Sequence, residues 1–144
     1  MDKSRELTAK IKLVNDKLHF SGSVDSNDPI SIDYISPIGD DLGYTSLELL
    51  LLSLSSCVGS SILVILRKMH KSIAGLEINT TGLRNENHPT CFHTINLDLN
   101  LRSPNTSFEE LNKVISLSEE TYCPVWAMLK GNVEIKINSE IISS

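Results

Sequence analysis

Apolar and polar residues alternate between residues 6 and 35, which is typical of β-strands that bury one face and expose the other. Turn-forming residues divide this region into three predicted strands, over residues 7–13, 17–24 and 30–35. The next segment, residues 36–44, holds a proline and two glycines and is predicted to form a loop.

The strongest predicted element is a helix over about residues 46–70. Its start matches a capping box, in which the Thr45 side chain and the Glu48 carboxylate each accept a backbone N–H. From Leu49 to Leu66 the chain holds 18 uncharged residues, close to the lower limit for crossing a membrane. Five of them are serines and no second apolar span follows, so we interpret the helix as buried on all sides within protein. Because 144 residues are too few to enclose it, a partner subunit is expected.

The second half of the chain mixes strands with helices. Alternation predicts strands near residues 76–80 and 95–101 and a closing strand over residues 133–137. Ser107 and Glu110 match a second capping box, which opens a predicted helix over residues 108–122. Pro124 suits the first position of a further short helix that ends near Leu129. The pattern therefore predicts an α+β fold.

Length and composition are those of one ordinary globular domain, with 144 residues, 40% hydrophobic and 22% charged. We expect a single domain over residues 1–144, with N-terminal strands at 6–35 and a helix-and-strand core at 45–142. A formal net charge of −5 provides no field to attract nucleic acid or a membrane surface. The seven glycines are scattered and form no phosphate-binding loop, so no nucleotide cofactor is expected.

The three cysteines draw attention to thiol chemistry. The chain opens with charged residues rather than an apolar segment, so we expect a cytoplasmic protein whose thiols are kept reduced. Cys57 lies in the middle of the long helix, among small side chains such as Ser53, Ser60 and Ser61. Small neighbours leave room either for a second helix to approach closely or for a narrow pocket with the sulfur at its floor. A cysteine buried only for packing is the third interpretation.

Cys123 precedes Pro124, at the start of the short helix. Backbone N–H groups and the helix dipole stabilise a thiolate at such a position, so local physics predicts that Cys123 is the more acidic thiol. Cys91 differs from both, because His88, Cys91 and His93 fall within six residues and resemble half a zinc site. A strand would place Cys91 and His93 on one face. Zinc sites need three or four protein ligands, so no metal is predicted, and a zinc module is the least favoured hypothesis.

Two stretches resemble the osmotically inducible protein C and organic hydroperoxide resistance (OsmC/Ohr) family. They are Ser46 to Cys57, ending in Leu-Ser-Ser-Cys, and Ser118 to Val125, which holds Cys123-Pro124-Val125. Gly82-Leu83-Arg84 and residues 92–96 add to the likeness. The resemblance implies an α+β homodimer of antiparallel sheets and intertwined strands, with long central helices at its interface.

The resemblance also implies a two-cysteine redox cycle. Cys57 takes the place of the peroxidatic cysteine, which attacks an organic hydroperoxide, and Cys123 takes the place of the resolving thiol. A dithiol such as a lipoyl group would reduce the resulting disulfide, so neither metal, flavin nor haem is required.

The sequence departs from the family pattern in two ways. Family peroxidases place an arginine from the N-terminal strands beside the reactive sulfur, whereas residues 6–66 here contain no arginine. N-terminal cations are limited to Arg5 and to lysines such as Lys10, Lys12 and Lys17. The family glutamate lies ten residues before the cysteine, where this chain has Leu47. Glu48 lies on the opposite side of the helix from Cys57 and is interpreted as the capping carboxylate.

Two functions of different classes follow. The first is a thiol-dependent peroxidase for organic hydroperoxides, with Cys57 as nucleophile and Cys123 as resolving thiol. The second is a non-catalytic dimer that binds a small apolar or thiol ligand at its interface, an alternative that the missing arginine favours. Arg67, Arg84, Arg102 or a group from the other subunit could supply the missing charge beside Cys57, and spacing selects none of them.

Overall fold

The computed structural model describes residues 6–142 of the chain. These fall in two compact units, Met1–Leu50 and Leu51–Ser144, which are described separately. The organisation as a single domain stays a prediction.

The N-terminal unit holds a three-stranded antiparallel sheet in the order β1-β2-β3. Its strands are β1 (Lys10–Leu13), β2 (Phe20–Ser23) and β3 (Ile30–Ile32). The three predicted strands are confirmed, but each is shorter than expected. Two of the strands are followed by a side chain that accepts backbone N–H groups. After β1, the Asn15 side chain accepts the N–H groups of Lys17 and His19. After β3, the buried Asp33 carboxylate accepts three backbone N–H groups of the following loop.

The long helix is confirmed as α1 (Ser46–Lys68). The capping box is present, since Thr45 N–H donates to the Glu48 carboxylate over 2.8 Å and Glu48 N–H donates to Thr45 Oγ1 over 3.3 Å. At the other end His70 adopts a positive φ of 59°. His70 N–H then bonds to the Arg67 carbonyl and Lys71 N–H to the Leu66 carbonyl, the pattern of a Schellman motif. That motif ends the helix two residues before the predicted position.

Within the single chain, helix α1 is buried along one face, and burial of its other sides against a partner subunit stays a prediction. The buried residues are Leu54, Val58, Gly59, Ile62 and Leu66. On the other side Leu52 and Val64 are each 50% exposed. By length and composition alone, α1 is the one helix of the described residues that would suffice to cross a membrane.

The second unit has a sheet in the order β4-β5-β6, formed by β4 (Gly75–Arg84), β5 (Phe92–Arg102) and β6 (Glu134–Ile142). The predicted two-faced strand is confirmed in β5, whose Ile95, Leu97, Leu99 and Leu101 are at most 1% exposed. Helix α1 lies close to β4 because Gly59 has no side chain: a Cβ there would lie 3.3 Å from Ile78 and 3.4 Å from Leu76.

The α+β fold is confirmed, with one difference in the sheets. β4 and β5 are antiparallel as expected, whereas β5 and β6 are parallel. Parallel neighbours need a long crossover connection. Here the crossover consists of α2 (Phe108–Leu117), a π-helical turn (Ser118–Tyr122) and α3 (Pro124–Leu129). The predicted helix over residues 108–122 is therefore confirmed in extent, but its last five residues wind more widely than an α-helix.

The second capping box gives a stability prediction. Ser107 accepts the Glu110 N–H, and the Glu110 carboxylate accepts the Ser107 N–H. Replacing Ser107 by alanine removes the acceptor, so Ser107→Ala should lower the free energy of unfolding by about 1 kcal/mol in urea titrations. Ser107→Asp keeps an acceptor and should cost much less. Equal stability of wild type and Ser107→Ala at the same protein concentration would contradict this account.

Candidate active site

The sulfur atoms of two of the three cysteines meet in the second unit. Cys57 lies on α1 and Cys123 lies 66 residues later, immediately before α3, yet their Sγ atoms are 2.8 Å apart. Both thiols are free, and the Cys123 S–H donates to the Cys57 sulfur. A disulfide bond is about 2.05 Å long, so bond formation needs a movement of under about 1 Å.

Local backbone geometry fixes the Cys123 side chain. Its N–H bonds to the Ser118 carbonyl over 2.9 Å, which closes the π-helical turn. Its backbone is extended, and it occupies the N-cap of α3, where the Trp126 N–H donates to the sulfur over 3.4 Å. Trp126 is 4% exposed and Cys123 is 2% exposed, so the thiol is held away from water.

The expectation that Cys123 is the more acidic thiol is wrong. Burial, and after it the hydrogen bond to Cys57, raise the pKa of Cys123 to about 11. The Trp126 N–H acts in the predicted direction and lowers the pKa, but burial outweighs it. The sequence shows the start of the short helix, whose N–H groups lower the pKa of Cys123. It does not show the packing over Cys123, which raises the pKa by more.

A cavity of about 550 Å³ opens beside Cys57, which is half-buried. Of the alternatives left open by the sequence, a pocket is the one found beside Cys57 in the single chain. The close approach of another element to α1 occurs at Gly59, against β4. The cavity is lined by Ser56, Cys57, Ser60, Ser61, Val64, Ile65, Lys68, Leu117, Tyr122 and Pro124. One wall is thus a face of α1. The other consists of Leu117, Tyr122 and Pro124, which lie in or near the π-helical turn.

Lys68 is the charged residue among those ten lining residues. It lies eleven positions after Cys57 on the same helix face, or about 16 Å along the axis. None of the candidate arginines lines the cavity. Arg84 instead bonds to the carbonyl and side chain of Thr90. Arg102 packs against Gly75, and Arg67 is exposed at the end of α1.

The other proposed cations and the displaced glutamate have structural partners or lie elsewhere. Arg5 falls outside the described residues. Lys17 forms an ion pair of 2.7 Å with Asp40 within the N-terminal unit. The interpretation of Glu48 as a capping carboxylate is confirmed, and its bonds with Thr45 hold the pKa of Glu48 below its ordinary value.

Cys91 and its two neighbouring histidines are not brought together as ligands. β5 begins at Phe92, so Cys91 lies outside the strand on which it was expected to share a face with His93. The exposed Cys91 sulfur accepts a hydrogen bond from Asn85, and His93 Nδ1 bonds to Thr94. Among residues 6–142, no three His, Cys, Asp or Glu side chains are placed to hold a metal ion.

Sequence reasoning missed the wall of the cavity that Leu117, Tyr122 and Pro124 supply. The signal was the helix that runs directly into Cys123-Pro124, since a proline restricts the residue before it to extended backbone. Such a break fixes the direction of the turn that precedes it. The sequence alone does not show that this turn packs against α1.

Comparisons with known proteins point to one family. The family model described as OsmC-like protein matches residues 39–138 of the chain. Protein YhfA of Escherichia coli strain K12 is 27% identical over 138 residues, which cover 96% of this chain and 100% of YhfA.

Solved structures share the fold. A hypothetical protein from Aquifex aeolicus VF5 superposes with a TM-score of 0.85 and 26% identity, covering 97% of this chain and 98% of that chain. An organic hydroperoxide resistance protein OsmC from Legionella pneumophila superposes with a TM-score of 0.70, covering 95% of this chain and 98% of that chain. At 14% identity, the second likeness is one of fold alone.

The burial of Cys123 predicts an order of alkylation. With limiting iodoacetamide at about pH 8, peptide mass spectrometry should find Cys91 and Cys57 labelled well before Cys123. Cys123 is 2% exposed and its pKa is raised to about 11, so little of the reactive thiolate is present or accessible. Protein unfolded in urea is the control and should label at all three cysteines alike. Labelling of Cys123 as fast as Cys57 in the folded protein would contradict the site geometry.

Proposed function

The chain belongs to the OsmC-like protein family, and on that basis we propose that it is a thiol-dependent peroxidase that reduces organic hydroperoxides. The observation that carries the proposal is the 2.8 Å separation of the Cys57 and Cys123 sulfurs beside a cavity. An organic hydroperoxide resistance protein with the same fold adds support at the level of the family.

The proposed reaction begins at Cys57, the thiol that lines the cavity. Its thiolate attacks one peroxide oxygen, the O–O bond breaks, and Cys57 becomes a sulfenic acid while the alcohol departs. The Cys123 sulfur then attacks the sulfenic sulfur, a disulfide forms and the sulfenic oxygen leaves as water. An external dithiol, for which a lipoyl group is a suitable candidate, reduces the disulfide and returns both thiols.

The cavity supports an alkyl hydroperoxide as substrate. Val64, Ile65 and Leu117 give its walls an apolar surface. Burying the carbon chain of an organic hydroperoxide against these side chains is favourable by about 25 cal/mol per Å² of apolar area. Hydrogen peroxide has no carbon to bury, so it should be the poorer substrate.

We also propose that the protein works as a homodimer in the cytoplasm. The dimer is supported by exposed apolar side chains of α1, since Leu52 and Val64 are each 50% exposed. Exposed large apolar side chains on a long apolar helix are expected where another protein surface covers it. The location is supported by the three free cysteines, which a reducing compartment preserves.

A mass measurement tests the peroxidase proposal. One equivalent of cumene hydroperoxide should remove two hydrogens from the intact protein, and peptide mapping should assign the new disulfide to Cys57 and Cys123. Cys57→Ser should abolish this change, whereas Cys91→Ser, at an exposed cysteine remote from the cavity lining, should leave it intact. Wild-type protein that stays reduced and instead binds apolar ligands saturably would favour the non-catalytic alternative.

The oligomeric state can be tested by light scattering on a sizing column. Wild-type protein should elute with twice the mass of the chain, and Leu52→Glu should shift it towards the monomer by placing a charge on the apolar face of α1. Asn112→Glu adds the same charge at an exposed position of α2 and should leave the dimer intact. A wild-type protein that is monomeric at micromolar concentration would refute the dimer.

A further inference from the structure

Cys57 needs a source of charge stabilisation that the cavity walls do not supply. Its position in the middle of α1 keeps it away from the helix ends, where the macrodipole acts. Residues 6–66 contain no arginine. Lys68, the charged residue of the cavity lining, lies about 16 Å further along the helix, which is beyond hydrogen-bond reach.

Two of the hydroxyl groups of α1 near Cys57 bond to backbone carbonyls. Ser61 donates its hydroxyl proton to the carbonyl of Cys57 itself over 2.9 Å. Ser56 donates to the Ser53 carbonyl over 3.1 Å. Both protons therefore stabilise the helix backbone and are not available to the Cys57 sulfur without loss of those bonds.

The S–H of Cys123 is the group that does donate to Cys57. The two sulfurs are 2.8 Å apart, and the Cys123 side chain is fixed by the Trp126 N–H and by burial. When two thiols are this close, both do not ionise together, because two negative charges would repel. The buried thiol of Cys123 is the one that keeps its proton, since burial disfavours its charged form, and the half-buried Cys57 is the thiol that borders the cavity.

From this geometry we propose that Cys123 has a second role: as a protonated thiol, it stabilises the Cys57 thiolate by a hydrogen bond and then protonates the departing alcohol. It takes the place of a cation beside Cys57, since Lys68, the charged residue of the cavity lining, lies about 16 Å further along α1. The inference rests on the proposed peroxidase function and extends it to the step before the disulfide forms.

The step balances with the groups already present. The Cys57 thiolate forms an S–O bond to the hydroperoxide and the O–O bond breaks, so sulfur is oxidised and the peroxide is reduced. The leaving alkoxide takes the Cys123 proton and departs as an alcohol. Cys123, now a thiolate, attacks the Cys57 sulfenic sulfur, the S–S bond forms, and the leaving hydroxide becomes water by taking up the proton that Cys57 released to solvent when its thiolate formed. Donating the proton thus generates the nucleophile for the next step.

The matched pair Cys123→Ser and Cys123→Ala separates the two roles. Neither variant can form the disulfide, but serine keeps an O–H donor at this position and alanine does not. The first readout is the single-turnover rate at which Cys57 gains one oxygen from cumene hydroperoxide. The second is the pH dependence of Cys57 alkylation, read by peptide mass. The other titratable groups are Cys123, whose sulfur is 2.8 Å from that of Cys57, and Tyr122 and Lys68 of the cavity lining.

We expect Cys123→Ser to oxidise at Cys57 within about threefold of wild type, and Cys123→Ala to be slower by about tenfold or more, the usual scale for a hydrogen bond to a charged group. The midpoint of Cys57 alkylation should lie at higher pH in Cys123→Ala than in Cys123→Ser. Cys91→Ser is the control and should match wild type. Circular dichroism confirms that each variant is folded.

The outcomes test the donor role of Cys123 separately from the proposed peroxidase function. Equal rates and equal alkylation midpoints in the serine and alanine variants would overturn the donor role, while disulfide formation in wild type would still support the peroxidase. A Cys57 that reacts with no hydroperoxide in wild type would overturn both.

Discussion

The site depends on one contact, between sulfur atoms that the chain separates by 66 residues. Two constraints with different origins bring them together. The first holds α1 against β4, where the absence of a side chain at Gly59 permits a close approach. The second is the π-helical turn, which ends at Cys123 and leaves its side chain directed at the helix. A shift of either element changes the sulfur separation directly, because neither cysteine lies on a mobile loop.

The same contact joins two thiols in different surroundings. Cys57 borders the cavity, whereas Cys123 is 2% exposed, with its pKa raised to about 11. Thiol chemistry usually relies on a nearby cation to lower a pKa. At Cys123 the largest influence on the pKa is burial, and salt screens buried groups much less than exposed ones.

Sequence predicted the elements well and their arrangement less well. Periodicity and the capping boxes at Thr45 and Ser107 located α1, β5 and α2, since these signals are local. The parallel pairing of β6 with β5 was missed, because alternation along a strand is the same in either direction. The pairing of Cys57 with Cys123 came from a family resemblance, and the protonation of Cys123 was predicted in the wrong direction because burial is a property of the packed chain.

Gly59 has a consequence for anyone who engineers this protein. A glycine inside a helix is an obvious target, since alanine raises helix propensity by about 1 kcal/mol. At this position the added methyl group would lie 3.3 Å from the Ile78 side chain and 3.4 Å from the Leu76 side chain, so the two side chains would have to yield by a few tenths of an ångström. Cys57 lies two residues earlier on the same helix. The gain in helix propensity at Gly59 is therefore set against the fit of α1 on β4, next to the cysteine pair.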